Sequence, residues 1–290
     1  MFTGSYVALV TPFKNGKIDE KALGDLIEWQ IDRGTNGLVP CGSTGESATL
    51  THEEHDRVIE LTVEVARRRV PVIAGTGSNA THEAIRLTKH AKSVGVDAAL
   101  LVTPYYNKPT QEGLFRHFEA IARAVDLPLV LYNIPGRSVV NMTPQTVARL
   151  SAITNIVGIK EASGNLSQMS DVIAACGERF VVLSGDDALT LPLMAVGGKG
   201  VISVTANVAP AETADMVSAA LKGDWDRAKR VHYRLLPLSN SMFLETNPIP
   251  VKAALAMMGR CADELRLPLT TMSDAPKAQL RQALLQFGLV

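Results

Sequence analysis

N-I-V-G-I-K-E-A-S-G-N, residues 155–165, is the stretch around which the chain is organised. Ile156, Val157 and Ile159 make a short apolar run that Gly158 interrupts. The run is too short for a helix and is bounded by polar and glycine residues, so it reads as a buried strand. At its end stands Lys160, and lysine is seldom buried without a partner. One reading lets it leave the sheet into solvent. The other turns it into a barrel or crevice, where desolvation favours the neutral amine. A neutral amine is the nucleophile that Schiff-base chemistry with a ketone or aldehyde needs. The stretch alone leaves both readings open.

Outward from it, short β-branched runs alternate with helical patterns. Upstream runs fall at residues 6–10, 37–40, 70–74, 98–102 and 127–131; downstream runs fall at 180–183 and 200–204. Between them, Asp19 is placed to cap a helix that Gly34 stops, and Thr51-His52-Glu53-Glu54 fits a capping box. Residues 81–94, 111–124, 166–176 and 211–221 carry helical periodicity, and Thr143-Pro144 opens a further helix with a cap and a first-turn proline. Eight strand–helix units imply a parallel sheet, and eight is the number that closes a barrel. A doubly wound open sheet is the alternative, but no G-x-G-x-x-G follows the first strand. Beyond about residue 223 the strands stop, and 225–243, 251–258 and 276–287 read as helices. The expected organisation is a (β/α)8 TIM barrel over residues 1–223 with a C-terminal helical extension over 224–290.

Composition excludes several function classes. The chain has 290 residues, 46% of them hydrophobic, which is ample for a large core. Lys+Arg and Asp+Glu both total 29, so no basic field argues for nucleic acid or an anionic membrane. Cys41, Cys176 and Cys261 are odd in number and widely spaced, which suits a reducing cytosol rather than a disulfide framework. No basic leader and no apolar run of about 20 residues is present, so a soluble cytoplasmic protein is expected.

Barrel chemistry collects where strands end. The endings here supply Thr11, Ser43, Thr44, Thr76, Thr103, Tyr132, Lys160, Ser184 and Ser203: hydroxyls and one amine, with no ligand set for a metal. Hydroxyls can shuttle protons, and glycine-rich turns can offer amides to a carboxylate. His52 and His55, three apart, lack the H-E-x-x-H spacing and an evident third ligand. Gly197-Gly198-Lys199-Gly200 lacks phosphate-loop spacing and reads as a tight turn. No motif places an activating histidine beside Cys41, which reads as a small core residue.

The motifs themselves carry a resemblance. G-S-T-G-E at 42–46, V-T-P-Y-Y-N at 102–107, Y-N-I-P-G-R at 132–137 and G-I-K-E-A-S-G at 158–164 are similar to those of the dihydrodipicolinate synthase / N-acetylneuraminate lyase family. S-G-D-D at 184–187, G-V-I-S-V at 200–204 and E-T-N-P-I-P-V-K at 245–252 extend the likeness essentially end to end. It is strongest to the branch that condenses pyruvate with aspartate semialdehyde on the path to lysine.

The resemblance implies that Lys160 forms a Schiff base with pyruvate and that no separate cofactor is needed. Tyr132 would give and take protons, with Ser43 and Tyr106 completing the relay and Tyr106 reaching in from a neighbouring subunit of a homotetramer. Many members carry Thr where this chain has Ser43; the hydroxyl remains, but its rotamer is freer. Thr44, Gly185 and Ile202 would line the pyruvate pocket. Arg137, which as a lone loop residue could be merely solvated, would grip the semialdehyde carboxylate with its planar fork. Sibling lyases acting on keto-sugar acids generally lack that arginine, and they, with a non-catalytic ligand-binding barrel, are the competing readings. Gly136 departs from a serine common in relatives. Ser47, Ala48, His52, His55, Asn79, Glu83 and Tyr105 match positions that bind inhibitory lysine in feedback-regulated members.

Overall fold

The computed structural model describes residues 2–290. Eight strands form one parallel sheet: β1 (Gly4–Ala8), β2 (Gly37–Val39), β3 (Ile73–Gly75), β4 (Ala98–Val102), β5 (Leu129–Asn133), β6 (Ile156–Glu161), β7 (Val181–Ser184) and β8 (Gly200–Ser203). Pairing runs β2-β1-β8-β7-β6-β5-β4-β3. A bridge between Leu38 and Val72 joins the two ends. There the Leu38 amide donates to the Pro71 carbonyl at 3.0 Å and the Gly75 amide to that of Pro40 at 2.9 Å. The sheet is thus closed into the expected barrel.

Helices α1 (Glu20–Asp32), α2 (His52–Ala66), α3 (Thr81–Val94), α4 (Gln111–Ala124), α5 (Pro144–Ser151), α6 (Leu166–Cys176), α7 (Thr190–Ala195) and α8 (Pro210–Leu221) follow successive strands. Their starts are set locally. Asp19 accepts from the Ala22 amide, Thr51 and Glu54 form a reciprocal capping box, and Thr143 caps α5. The run at 98–102 coincides with β4, but the run at 70–74 does not become a strand until Ile73. Pro71 has no amide to donate, and the Val72 amide is taken by the Asp97 carboxylate at 2.8 Å.

Alternation along each strand sorts side chains into two cores. Tyr6, Val39, Leu100, Val130, Tyr132, Leu183 and Ile202 fill the barrel interior, whereas Leu129, Leu131, Ile156 and Ile159 face the helices. β6 does not keep strict alternation. Leu129 pairs with Ile156 but Val130 pairs with Gly158, leaving Val157 as an extra residue. Such a bulge reverses which face every later side chain takes. Ile159 therefore faces out and Lys160 faces in. Only glycine fits at 158, since a Cβ there would stand 2.5 Å from the Val181 carbonyl oxygen.

Helices α9 (Trp225–Ser241), α10 (Ile249–Met257) and α11 (Asp274–Phe287) end the chain. Their Leu235, Leu238, Val251, Leu255, Leu280 and Leu284 share one core with Val10, Leu26 and Val201 of the barrel. Among the described residues no helix is long and apolar enough to cross a membrane.

Candidate active site

Register brings the first pair of candidate residues together. Tyr132 of β5 is the direct cross-strand partner of Lys160 of β6. The lysine ammonium lies 4.3 Å from the centre of the tyrosine ring. The two residues are only 6% and 5% exposed, and Lys160 makes no ion pair among the described residues. Gly185, just past β7, gives the lysine its corridor: a Cβ there would stand 3.0 Å from Lys160 Cε and 2.6 Å from Ala162 Cβ. Ile202 of β8 is buried in the same interior cluster as Tyr132. The β7 and β8 ends are tied by buried Asp187, which accepts from the Ser203 hydroxyl and from the Val204 and Thr205 amides at 3.0 Å.

The loop after β2, carrying Ser43 and Thr44, is held by groups that sequence reasoning did not single out. Glu46 adopts a left-handed backbone, φ 53°, and its carboxylate meets Lys252 Nζ of α10 at 2.6 Å. Both side chains are completely buried. Lys252 also donates to the Thr11 carbonyl at 3.0 Å and lies 4.2 Å from the centre of the Phe13 ring. Burial pushes its ammonium below the usual lysine range, against the opposing pull of Glu46. Asn247 donates to the Thr44 hydroxyl at 3.0 Å, and its carbonyl receives Arg137 Nη2 at 2.6 Å. A signal existed: Lys252 is the lone charge in the helix I-P-V-K-A-A-L-A-M.

Ser43, Arg137 and Asn247 line a cavity of about 540 Å3. Lys160, Tyr132 and Thr44 are outside its lining, so the structure does not gather every candidate into one space. Tyr106 stands furthest from the others in character. It is 90% exposed with φ 73°, a left-handed conformation that bulky residues seldom adopt. Gly136 has open space around a would-be Cβ, and nothing in the structure explains a glycine there rather than the serine that the resemblance leads one to expect.

The same cavity is lined by Ser47, Ala48, His52, His55, Glu83 and Tyr105. Asn79 is not part of that lining, but its amide donates to the Tyr105 carbonyl at 3.2 Å. The two histidines part company. His52, half exposed, meets Glu83 at 2.8 Å, and Glu83 also takes the Ser78 hydroxyl. His55 is buried and donates from Nε2 to the Gly75 carbonyl at 2.9 Å, and burial pushes its pKa down to about 4. They share no focus where a metal would sit. Cys41 is buried, and burial drives its thiol far above the usual range, as suits a core residue rather than a nucleophile.

The closed barrel with an inward lysine beside a tyrosine is that of an enzyme of the lyase class, as the names of its full-length relatives show. The chain belongs to the dihydrodipicolinate synthetase family, whose pattern it matches over residues 1–287. It is 63% identical to the 4-hydroxy-tetrahydrodipicolinate synthase of Syntrophobacter fumaroxidans over the full length of both chains. The crystal structure of dihydrodipicolinate synthase from Aquifex aeolicus superposes with a TM-score of 0.98 at 54% identity, covering 99% of each chain. The Acinetobacter baumannii enzyme, described as complexed with pyruvate, gives 0.98 at 49% identity over the whole of both chains. That of Cyanidioschyzon merolae, described with lysine bound, gives 0.97 at 43% identity over 100% of this chain and 99% of that one.

Proposed function

We propose that the chain catalyses the 4-hydroxy-tetrahydrodipicolinate synthase reaction in the cytoplasm, joining pyruvate to L-aspartate 4-semialdehyde through an imine on Lys160. The observation that carries this reading is the register pair Tyr132–Lys160, a buried lysine facing the barrel interior with a phenol beside it. The amine attacks the keto carbon of pyruvate and water leaves. Loss of a methyl proton gives an enamine, whose carbon adds to the aldehyde. Tyr132 serves as the proton carrier, since a phenol works at neutral pH only through a hydrogen-bonded relay. Ser43 and the Tyr106 of a neighbouring copy extend that relay; the outward, 90% exposed Tyr106 is suited to a second subunit of a homotetramer. Thr44, Gly185 and Ile202 seat the pyruvate carboxylate and methyl end. Arg137, with one guanidinium nitrogen on Asn247 and the rest of its fork toward the cavity, takes the semialdehyde carboxylate.

The Ser47–Ala48–His52–His55–Asn79–Glu83–Tyr105 wall is the binding place for inhibitory lysine. Glu83, held low by Ser78 and His52, offers a carboxylate for its side-chain ammonium. A coupled assay with both substrates, with and without lysine, tests the whole reading. Turnover with the semialdehyde and a pyruvate-dependent mass gain on Lys160 after borohydride support it. Activity only on a keto-sugar acid points to a sibling lyase, and no adduct at all to a non-catalytic barrel.

A further inference from the structure

Directly behind the Tyr132–Lys160 pair lies a second cross-strand pair, Asn133–Glu161, which the reaction does not use. Consecutive strand residues point to opposite faces, so this pair looks toward the helices while the first looks into the barrel. Both residues are completely buried. Asn133 Nδ2 donates to both Glu161 oxygens, at 3.2 and 3.1 Å, and to Asn141 Oδ1 at 2.8 Å. The Ser163 amide donates to Glu161 at 2.7 Å, and Gln168 of α6 reaches it at 3.4 Å. Gln168 and Asn141 bond each other reciprocally at 2.7 and 3.1 Å, and Asn133 Oδ1 accepts from the Met142 amide at 2.9 Å. One carboxylate thereby ties together β5, β6, α6 and the segment that follows the Arg137 turn.

No cation is in this cluster, and every group that meets Glu161 is a neutral donor. Burying a carboxylate on amides alone costs stability compared with an apolar residue of the same size. Burial indeed raises its pKa, and the Ser163, Asn133 and Gln168 bonds oppose the rise. What the arrangement supplies is direction. An acceptor with two fixed oxygens locks the C-terminal ends of β5 and β6 in register one pair beyond Tyr132–Lys160, where a slip would move Lys160 off Tyr132.

We propose that Glu161 is a positioning residue for the Lys160–Tyr132 pair, acting through Asn133 from outside the barrel. The proposal rests on the Schiff-base reading of Lys160. A misplacement of about 1 Å at reacting groups can cost about a hundredfold in rate. Glu161→Gln keeps the shape but sets an amide donor against the Asn133 or Ser163 donors. Its kcat, counted per Lys160 that pyruvate and borohydride can trap, is expected to fall at least about tenfold. Counting per trapped site separates positioning from folding: a merely structural role would lower the melting temperature and the trapped fraction but leave kcat per trapped site unchanged, which overturns the proposal. Asn141→Ala, at the exposed rim, removes two arms of the cluster without touching Glu161. It serves if Glu161→Gln does not fold, and an unchanged kcat per trapped site there also overturns the proposal. If the wild type itself gives no pyruvate adduct, the Schiff-base reading has failed instead, a result distinct from either variant outcome.

Discussion

Two buried lysines set the open barrel interior against the packing that supports it. Lys160 and Lys252 are alike in lying near an aromatic ring, 4.3 Å from Tyr132 and 4.2 Å from Phe13. They differ in company. Lys252 has a carboxylate at 2.6 Å, a carbonyl at 3.0 Å and no exposure at all. Lys160 has a ring, a glycine corridor and no ion pair among the described residues. A fully satisfied ammonium has nothing left to offer a substrate. A buried one held by a ring alone keeps its lone pair within reach of a carbonyl once its proton is lost.

The largest expected effect comes from removing the lysine proposed to form the imine. Lys160→Met should abolish turnover and borohydride trapping of pyruvate while leaving stability within about 1 kcal/mol of the wild type, because no paired charge is orphaned. Urea titration and mass spectrometry of the trapped protein check both halves. A Lys160→Met protein that still gains the pyruvate mass would break the contrast.

Next in size is the supporting lysine. Lys252→Met leaves Glu46 buried without its counter-ion, a change that typically costs about 3–5 kcal/mol. Glu46→Gln added to it should recover a large part of that loss, because the orphaned charge is gone. A denaturation series on the two single variants and the double one gives the coupling directly. Additive single-variant losses would show that the pair is not the unit that holds the loop bearing Ser43 and Thr44.

The contrast also explains what could be read from the chain alone. The eight strands were legible because β-branched runs recur between helical patterns, and Lys160 stood out because it ends such a run. Its direction was not legible by alternation. Counting inward and outward from Ile156 would send Lys160 to the helices, and only the extra residue Val157, paired with nothing, turns it inward. Gly158 was the visible trace, a glycine where a Cβ would strike the Val181 carbonyl. The Glu46–Lys252 pair joins residues 206 positions apart, and no local pattern predicts such a partner. A lone charge inside an apolar helix was the available sign. Glu161 lies within the motif at 158–164, but no local pattern marks it, because its side-chain partners Asn133 and Gln168 come from β5 and α6.

The smallest effect concerns the two histidines of α2, which repeat the contrast in milder form: His52 meets Glu83 at the cavity wall, while His55 is packed against Gly75. Burial lowers the His55 pKa from an ordinary value of 6.5 to about 4. Above pH 6.5 the ring is neutral in both the folded and the unfolded chain, and the native contact is intact. Between pH 6.5 and 4 the unfolded chain binds a proton at this site that the folded chain refuses, so stability must fall as the pH falls. One such proton corresponds to about 1.4 kcal/mol per pH unit at most. His117, also buried and also pushed down to about 4, contributes a slope of the same sign. His55→Gln keeps a donor for the Gly75 carbonyl but cannot titrate. Its urea midpoint should therefore depend less steeply on pH between 6.5 and 4 than that of the wild type, with the His117 slope remaining. An unchanged slope would mean that His55 is as easily protonated in the fold as out of it, and would leave it no more enclosed than His52 on the same cavity wall.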